Sequence, residues 1–262
     1  MPAGELHGQL GGVLGSGAAV GREEDVLEHG GLLSGLACIL LQRRAVRLTS
    51  IKQNRGMFKD RRDAAGKLAD ALAHHAGAHP LVLAIPRGAV EIGAVLAQRL
   101  AGELDVVLVR KLGSPFSSEF AVGAIDESGW TYVAPHASQA GADDDWIRRE
   151  SAKQLALLRE RRAMYTPGRG MPSIAGRAVI VVDDGLATGA TMIAALHSVR
   201  AHGPKHLVCA APVASDSSIE AVRPYCDEVV VALAPKDFRA VGQFYRTFEQ
   251  VEDGEVVALL AR

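Results

Sequence analysis

Two adjacent carboxylates end an apolar run in the segment VIVVDDGLATGAT, residues 179–191. Asp183 and Asp184 follow residues of the kind that fill a buried strand, and a loop of glycine, alanine and threonine comes directly after them. Carboxylate oxygens hold hydroxyl groups or a hard cation, whereas free backbone N–H groups at the start of a helix favour a phosphate. The segment therefore predicts a site for a ligand with a diol or a metal at one end and a monophosphate at the other.

Other interpretations of this segment explain less of it. It lacks the glycine spacing and the GK[ST] ending of a Walker A loop, and it does not match GxGxxG. Paired aspartates also suit the metal site of a phospho-acceptor receiver domain, but there they would be expected near the domain start and without a TGAT loop. As structure alone, DDG is a turn and TGAT a capped helix start, which explains an isolated DDG better than the whole string.

Two basic segments could bind a second anionic group of the same ligand. IPRGAVEIG places Arg87 and Gly88 at the end of a strand-like run, and VRKLG places Arg110 and Lys111 at the end of the next. Alone, each is more simply explained as a surface cation beside a turn. Because ligands of open parallel sheets bind outside the carboxyl ends of the strands, the two segments together predict a positive site opposite the aspartate pair.

From Met57 onward the chain alternates strand-like and helix-like segments, which favours an α/β fold: an open, mostly parallel twisted sheet flanked by helices. Apolar runs predict core strands at residues 81–86, 105–112, 178–184, 206–214 and 228–235. Helices are predicted within residues 57–75, 88–101, 144–165 and 192–202.

Residues 1–56 are rich in glycine and keep neither a strand period nor a helix period over a useful length. We expect them to be a disordered extension or the product of a mis-assigned start, and the domain to comprise residues 57–262. A folded but poorly patterned extension is the alternative.

A long connection separates the second and third predicted core strands. Residues 113–133 look irregular, and connections of this length in α/β proteins are usually functional. We expect residues 113–123 to form a flexible lid that excludes water from the site. Its only carboxylate, Glu119, is a candidate acid/base group. A solvated loop glutamate is an equally good explanation of Glu119.

The segment at residues 179–191 closely resembles the ribose-phosphate signature of the type I phosphoribosyltransferases, because the apolar run, the acidic pair and a TGxT-like loop occur in order. The resemblance extends over residues 57–262, and FRAVGQFYRTFEQV is similar to the ending of a bacterial subgroup whose acceptor is poorly defined. It implies the family's fold, a small hood over the base, and binding of 5-phosphoribosyl-1-pyrophosphate (PRPP). The residues so implicated are Asp183 and Asp184 at the ribose hydroxyls, Ala187, Thr188, Gly189, Ala190 and Thr191 at the 5′-phosphate, and Arg87, Gly88, Arg110 and Lys111 at the pyrophosphate.

The reaction implied by this resemblance is displacement at the ribose anomeric carbon, in which pyrophosphate leaves and a nitrogen nucleophile arrives. Mg²⁺ would bridge pyrophosphate and ribose oxygens near Asp183 and Asp184, directly or through water. Arg87 and Lys111 would stabilise charge on the departing pyrophosphate. The resemblance also implies a cis peptide bond between Pro86 and Arg87. A non-catalytic PRPP- or nucleotide-binding regulatory protein is the alternative function.

The acceptor is less well marked by the sequence. In the 6-oxopurine members of the family, the position of Ala187 usually carries an aspartate that exchanges a proton with the purine ring. Hypoxanthine, guanine and xanthine are therefore expected to be poor acceptors. Phe238, Phe244 and Tyr245 could stack on an acceptor, although aromatic residues at such spacing are more often core.

Composition narrows the range of partners. The net charge of −1 and the pI near 6.8 give the chain no overall field that would attract nucleic acid or an acidic membrane. The most apolar early run, residues 32–41, is too short to span a bilayer, and no secretory signal is evident. We expect a cytoplasmic protein that binds PRPP and a small nitrogenous acceptor, with neither nucleic acid nor a membrane as partner and with a homodimer as a compatible assembly.

Cysteine and histidine suggest no further site in the sequence. The three cysteines show no CxxC spacing, which indicates neither a disulfide framework nor a zinc site and fits a reducing compartment. His74, His75 and His79 have no neighbouring acids that would complete a metal site.

Overall fold

Two sheets organise the domain. The computed structural model of the protein describes residues 45–48 and 57–261. In chain order, its strands are β1 (Ala45–Leu48), β2 (Leu81–Ala84), β3 (Glu103–Val106), β4 (Val109–Ser114), β5 (Ser117–Asp126), β6 (Thr131–Val133), β7 (Ala178–Val182), β8 (His206–Val213) and β9 (Glu228–Leu233). Six of them form a sheet in the order β1-β9-β8-β7-β2-β3, in which every pairing is parallel, and β4, β5 and β6 form an antiparallel sheet.

Helices cover the parallel sheet. They are α1 (Arg61–Ala71), α2 (Ala89–Leu100), α3 (Asp144–Tyr165), α4 (Ala190–Ala201), α5 (Asp216–Val222) and α6 (Asp253–Leu260), with short 3-10 turns at Ala73–His75, Arg223–Tyr225 and Val241–Phe244. The helix predicted at residues 144–165 is confirmed at both ends, and Asp143 caps its start by accepting from the Trp146 amide.

The central strands are apolar throughout because both of their faces are covered. Val82 and Ala84 of β2 pack in one cluster with residues of α1 and α2. Leu81 and Leu83 pack in another, on the opposite face, with residues of α4 and α5. This alternation follows from the period of two along a strand, and the predicted open parallel sheet flanked by helices is confirmed.

The strand predicted at residues 105–112 is wrong, because the chain changes sheets within it. The first part belongs to β3, which pairs with β2, whereas β4 starts at Val109 and pairs with β5 in the antiparallel sheet. Val107 and Leu108 lie at the break and are both buried, as is Val106 before them. The apolar run is therefore continuous even though the strand is not.

The segment predicted to be an irregular lid, residues 113–123, is instead a β-hairpin. Ser114 pairs with Ser117 across its turn, and Gly113 pairs with Ala121 after a shift in register. Phe116 stands at the tip with 87% of its surface exposed. A covering role for this hairpin stays a prediction.

One strand lies upstream of the predicted domain start at Met57. β1 pairs with β9 in parallel register, with Ala45 opposite Glu228. The rest of residues 1–56 lies outside the described residues, so its assignment as an extension stays a prediction. Among the residues that the structure describes, no helix combines the length and apolarity that crossing a bilayer requires.

Candidate functional site

The aspartate pair lies at the carboxyl edge of the parallel sheet. Directly after β7, the Asp183 amide still donates to the Ala210 carbonyl of the neighbouring strand, at 3.2 Å, while the Asp184 amide donates to Asp183 Oδ1 at 2.9 Å. The chain then turns at Gly185, where a Cβ would lie 2.4 Å from Val241 Cγ1. Glycine at this position lets the turn pass beneath the segment that contains Val241.

Both carboxyl groups of the pair have raised pKa values. Burial, reinforced by the charge of Asp184, raises the pKa of Asp183 to about 8. Burial also raises the pKa of Asp184, although the guanidinium of Arg61 opposes this. Two carboxylates that repel each other in a half-buried place would be stabilised by a hard cation. Their oxygens therefore fit a Mg²⁺ ion that binds there directly or through water.

Arg61 fixes the position of Asp184. Asp60 caps helix α1 and places Arg61 in its first turn, where Nε and Nη2 donate to Asp184 Oδ2 at 3.2 and 3.1 Å. The remaining nitrogen, Nη1, donates to the Glu249 carbonyl at 2.7 Å, and the Phe248 ring centroid lies 4.1 Å from Arg61 Cζ. No pattern in the sequence marks Arg61, because it lies 123 residues from the carboxylate it binds.

The predicted phosphate loop forms the start of a helix. Gly189 adopts a left-handed conformation, with φ 74°, directly before α4 begins at Ala190. A Cβ on Gly189 would be strained at that φ and would approach Val222 Cγ1 to 3.0 Å. The loop lines a cavity of about 150 Å³ together with Asp183. Its predicted members there are Ala187, Thr188, Gly189, Ala190 and Thr191.

Arg87 and Gly88 meet the aspartate pair from the end of β2. The peptide bond between Pro86 and Arg87 is cis, as predicted. Gly88 directly precedes helix α2, and a Cβ there would lie only 2.1 Å from Asp184 Oδ2. Only glycine therefore lets the start of α2 come so close to the carboxylate. A cavity of about 430 Å³ opens here, and its lining includes Arg61, Arg87, Gly88, Asp184 and Phe248.

Arg110 and Lys111 occupy a different place from the one predicted. They lie in β4 of the antiparallel sheet, and they line a cavity of about 680 Å³ between the hairpin, α3 and α4. Arg110 Nε donates to Gln154 of α3, whereas Lys111 is exposed. Thr191 lines both this cavity and the one at the phosphate loop. The two basic residues thus approach the predicted phosphate site rather than Arg87.

The predicted acid/base group, Glu119, lies on β5 next to the hairpin tip. Its side chain is outside the described part of the structure, so its role stays a prediction.

Segments from the two end regions of the domain meet beside Asp184, where the resemblance predicts a hood. The Phe58 amide donates to the Phe244 carbonyl at 2.7 Å, and the Arg246 amide donates back to the Phe58 carbonyl at 2.9 Å. Tyr245 donates its hydroxyl to the Asp184 carbonyl at 2.6 Å. Phe244 and Tyr245 are buried in a cluster with Phe58. They are core residues, which agrees with the alternative interpretation of these aromatics, and the aromatic residue that faces the cavity is Phe248.

A comparison with known protein families identifies the family of this chain. A family model described as a phosphoribosyl transferase domain matches residues 47–248. The chain belongs to this family. All of the predicted site residues lie within the matched phosphoribosyl transferase domain, and the match begins inside β1.

Individual relatives agree with this family. A protein of Mycobacterium tuberculosis, provisionally named a phosphoribosyl transferase, is 42% identical over 212 residues, which cover 79% of this chain and 47% of the relative. The chain thus spans about half the length of these curated relatives. The crystal structure of TT1426 from Thermus thermophilus is 46% identical, with a TM-score of 0.72 over 78% of this chain and 97% of that one.

Proposed function

We propose that this domain transfers a phosphoribosyl group from PRPP to a small nitrogen nucleophile, with pyrophosphate as the leaving group. The observation that carries the proposal is the meeting of three groups at one sheet edge: the aspartate pair after β7, the loop that opens α4, and the Arg87–Gly88 turn that opens α2. Two helix starts that flank a pair of carboxylates suit a sugar with a phosphate at each end.

The binding roles follow from this arrangement. Asp183 and Asp184 accept hydrogen bonds from the two ribose hydroxyls, and the amides and hydroxyls of residues 187–191 hold the 5′-phosphate. Arg87 and the turn at Gly88 bind the pyrophosphate. Arg110 and Lys111 keep their predicted assignment to the pyrophosphate, although the cavity that they line borders the phosphate loop at Thr191.

Catalysis in this proposal consists mainly of stabilising the charge that develops on pyrophosphate as its bond to the anomeric carbon breaks. Arg87 and Lys111 supply positive charge from the chain. Asp183 and Asp184 would hold a bound Mg²⁺, which would help to neutralise the charge on the departing pyrophosphate. The hairpin at residues 113–123 would exclude water, and Glu119 remains the acid/base candidate.

The acceptor would enter the cavity beside Phe248, whose ring is partly exposed and already stacks on Arg61. Ala187 carries a methyl group and can exchange no proton with a purine. Hypoxanthine, guanine and xanthine should therefore react slowly, since general acid/base assistance contributes about 10²–10⁴-fold. We propose a cytoplasmic location, with which the buried thiol of Cys209 agrees.

The test is a screen of nucleobases and small amines for PRPP-dependent release of pyrophosphate in the presence of Mg²⁺, together with direct PRPP binding. We expect release with at least one acceptor that is not a 6-oxopurine, and its loss in Asp183→Asn. Binding of PRPP without release for any acceptor would favour the regulatory alternative. Turnover of hypoxanthine or guanine at rates typical of salvage enzymes would contradict the argument from Ala187.

A further inference from the structure

A cluster of histidines surrounds one carboxylate at the amino edge of the parallel sheet, opposite the substrate site. Glu228 and His206 are the first residues of β9 and β8, and His74 and His75 lie in the 3-10 turn that follows α1. The sequence showed no acid near His74 and His75, because Glu228 lies 154 and 153 residues away from them. The fold alone brings these groups together.

The possible metal-binding atoms of this cluster lie close to one another. His74 Nε2 lies 2.9 Å from Glu228 Oε1, and His75 Nε2 lies 3.1 Å from Glu228 Oε2. One ligand atom from each of the three residues lies within 4.8 Å of the others. Donors of a tetrahedral site are about 3.4 Å apart when bonds are about 2.1 Å long. Small rotations of the side chains would therefore bring the three atoms around one ion.

A fourth donor stands beside the first three. His206 Nε2 lies 3.5 Å from Glu228 Oε2, and its ring centroid lies 5.8 Å from that of His75. His75 and Glu228 are only 10% and 7% exposed, whereas His74 and His206 are partly open to solvent. The cluster thus has a buried half and an accessible half through which an ion could enter.

We propose that His74, His75 and Glu228, with His206 as a fourth donor, bind a divalent transition-metal ion of the zinc class. Imidazole nitrogens with one carboxylate are a donor set that Zn²⁺ prefers, and they differ from the all-oxygen set that suits Mg²⁺. On binding, each histidine uses a neutral Nε2 and releases any proton it carries there to solvent, while the carboxylate stays ionised.

Protonation states in the cluster suit this role. Burial, together with the neighbouring imidazole of His74, lowers the pKa of His75 and so favours its neutral, metal-binding form. Burial works to raise the pKa of Glu228, but the charges of His74 and His75 outweigh it and hold that pKa below its usual range. A hydrogen-bonded cluster that binds protons alone is the competing explanation, and the experiment distinguishes the two.

A metal here would act on the substrate site through α1. This helix has 11 residues and is about 16 Å long. It begins with Arg61, which binds Asp184, and it ends just before His74. An ion that fixes the end of α1 to β8 and β9 would therefore also steady the helix that positions Arg61. The site itself does not depend on the proposed reaction.

The experiment is a Co²⁺ titration of the full chain after chelation and removal of bound metal, followed by visible absorption and calorimetry. We expect one Co²⁺ per chain with the intense visible bands of a four-coordinate site, displaced by Zn²⁺. His74→Gln should weaken binding by at least about tenfold and abolish the intense bands. His74 is the most exposed of the three principal ligands, so this change puts the fold at little risk, and circular dichroism checks it.

Two controls make the result specific. His136→Gln alters an exposed histidine remote from the cluster, and Asp183→Asn combined with Asp184→Asn alters the carboxylates of the substrate site. Both should give the intense Co²⁺ bands with the same affinity as the parent chain, because any Co²⁺ held by Asp183 and Asp184 would have oxygen ligands and only weak bands. Equal affinity in the parent and in His74→Gln, or no uptake of Co²⁺ at all, would overturn the proposal and leave the cluster as a proton-binding group.

Discussion

The two edges of the parallel sheet shift the pKa values of their carboxylates in opposite directions. At the carboxyl edge, Asp183 and Asp184 repel each other with Arg61 as their nearby cation, and burial raises both of their pKa values. At the amino edge, Glu228 is surrounded by imidazoles, which hold its pKa below the usual range even though it is also buried. Burial is common to both edges, so the charge of the neighbours decides the outcome.

This difference separates a pair of carboxylates with surplus negative charge from a single carboxylate that already has imidazole partners. The aspartate pair carries a surplus of negative charge that a cation or the hydroxyls of a sugar would relieve. The amino-edge carboxylate already has donors on both of its oxygens. Helix α1 connects the two places, since it carries Arg61 at one end and precedes His74 at the other.

The largest expected effect is at the carboxyl edge. Asp183→Asn and Asp184→Asn should each weaken PRPP binding with Mg²⁺ by about 10- to 100-fold, because each removes a charged hydrogen-bond acceptor without removing bulk. Glu160→Gln, at an exposed position of α3, is the control and should leave PRPP affinity unchanged. Calorimetric titration measures all three. Unchanged affinity in both aspartate variants would show that the ribose site lies elsewhere.

The next effect concerns stability and Arg61. Arg61→Met should lower the free energy of unfolding by about 2 kcal/mol, somewhat less than the loss of one partner from a fully buried pair. Arg62→Met is the matched control: its side chain is 69% exposed and pairs with Glu91 at the surface, so almost no change is expected. Denaturant unfolding of both variants gives the comparison. Equal losses in the two variants would mean that the contact of Arg61 with Asp184 stabilises the fold no more than the surface pair of Arg62 with Glu91 does.

The pH dependence of stability should have opposite signs at the two edges. The folded chain holds the proton of Asp183 more tightly than the unfolded chain, so this group makes the free energy of unfolding fall as pH rises from about 4 to about 8. The lowered pKa values of His75 and Glu228 act the other way, and their contribution is lost as pH falls below about 6.5 and then below about 4.5.

Two variants separate these slopes. In Asp183→Asn, the slope of the free energy of unfolding against pH should be more positive between pH 5 and 8 than in the parent chain. Denaturant unfolding at a series of pH values measures this slope. In Glu228→Gln, the loss of stability on the acid side should be shallower. If Asp183→Asn leaves the slope unchanged, the pKa of Asp183 is not raised in solution. PRPP affinity of the parent chain should also increase with pH up to about 8, because binding favours the carboxylate.

The smallest effect is expected from shortening the chain before Met57. Removing residues 1–44 leaves β1 in place and should not change the melting temperature measurably. Removing residues 1–56 also takes away the edge strand that pairs with β9, and should lower the melting temperature slightly. PRPP affinity should be unchanged in both, because β1 starts opposite Glu228 at the amino edge. A loss of PRPP affinity would show that the segment before Met57 contributes to the substrate site.

The sequence predicted those parts of the site whose residues are contiguous. The segment from Asp183 to Thr191 carries its strand, carboxylates and helix start in one string, so neighbouring residues define it. Arg61 and Phe248 reach the same place from the two ends of the domain, and Glu228 reaches His74 from a strand far along the chain. No local pattern marks such contacts, since they arise only from the packing of the sheet.

The misplaced strand has a different cause. Residues 105–112 look like one strand in the sequence because Val107 and Leu108, which lie at the change of sheet, are apolar and buried as strand residues are. Hydrophobicity reports burial, and it does not report which strand is the hydrogen-bonding partner. The hairpin formed by β4 and β5 resembles a loop in the sequence because Gly113, Ser114 and Pro115 interrupt any regular alternation. In the structure, a shift in register at Gly113 accommodates this interruption within the strand pair.

The hydrogen bonds between Phe58 and the segment around Tyr245 also set an order of events during protein synthesis. Phe58 leaves the ribosome before most of the sheet, whereas its partners Phe244 and Arg246 emerge only after β9, so these hydrogen bonds form late. A nascent chain that has emerged as far as β9 contains every strand of the parallel sheet, but it still lacks the segment with Val241 and Tyr245 that packs beside the aspartate pair. The carboxylates stay open to water until the final turns emerge, so the pocket is completed only when the domain is nearly whole.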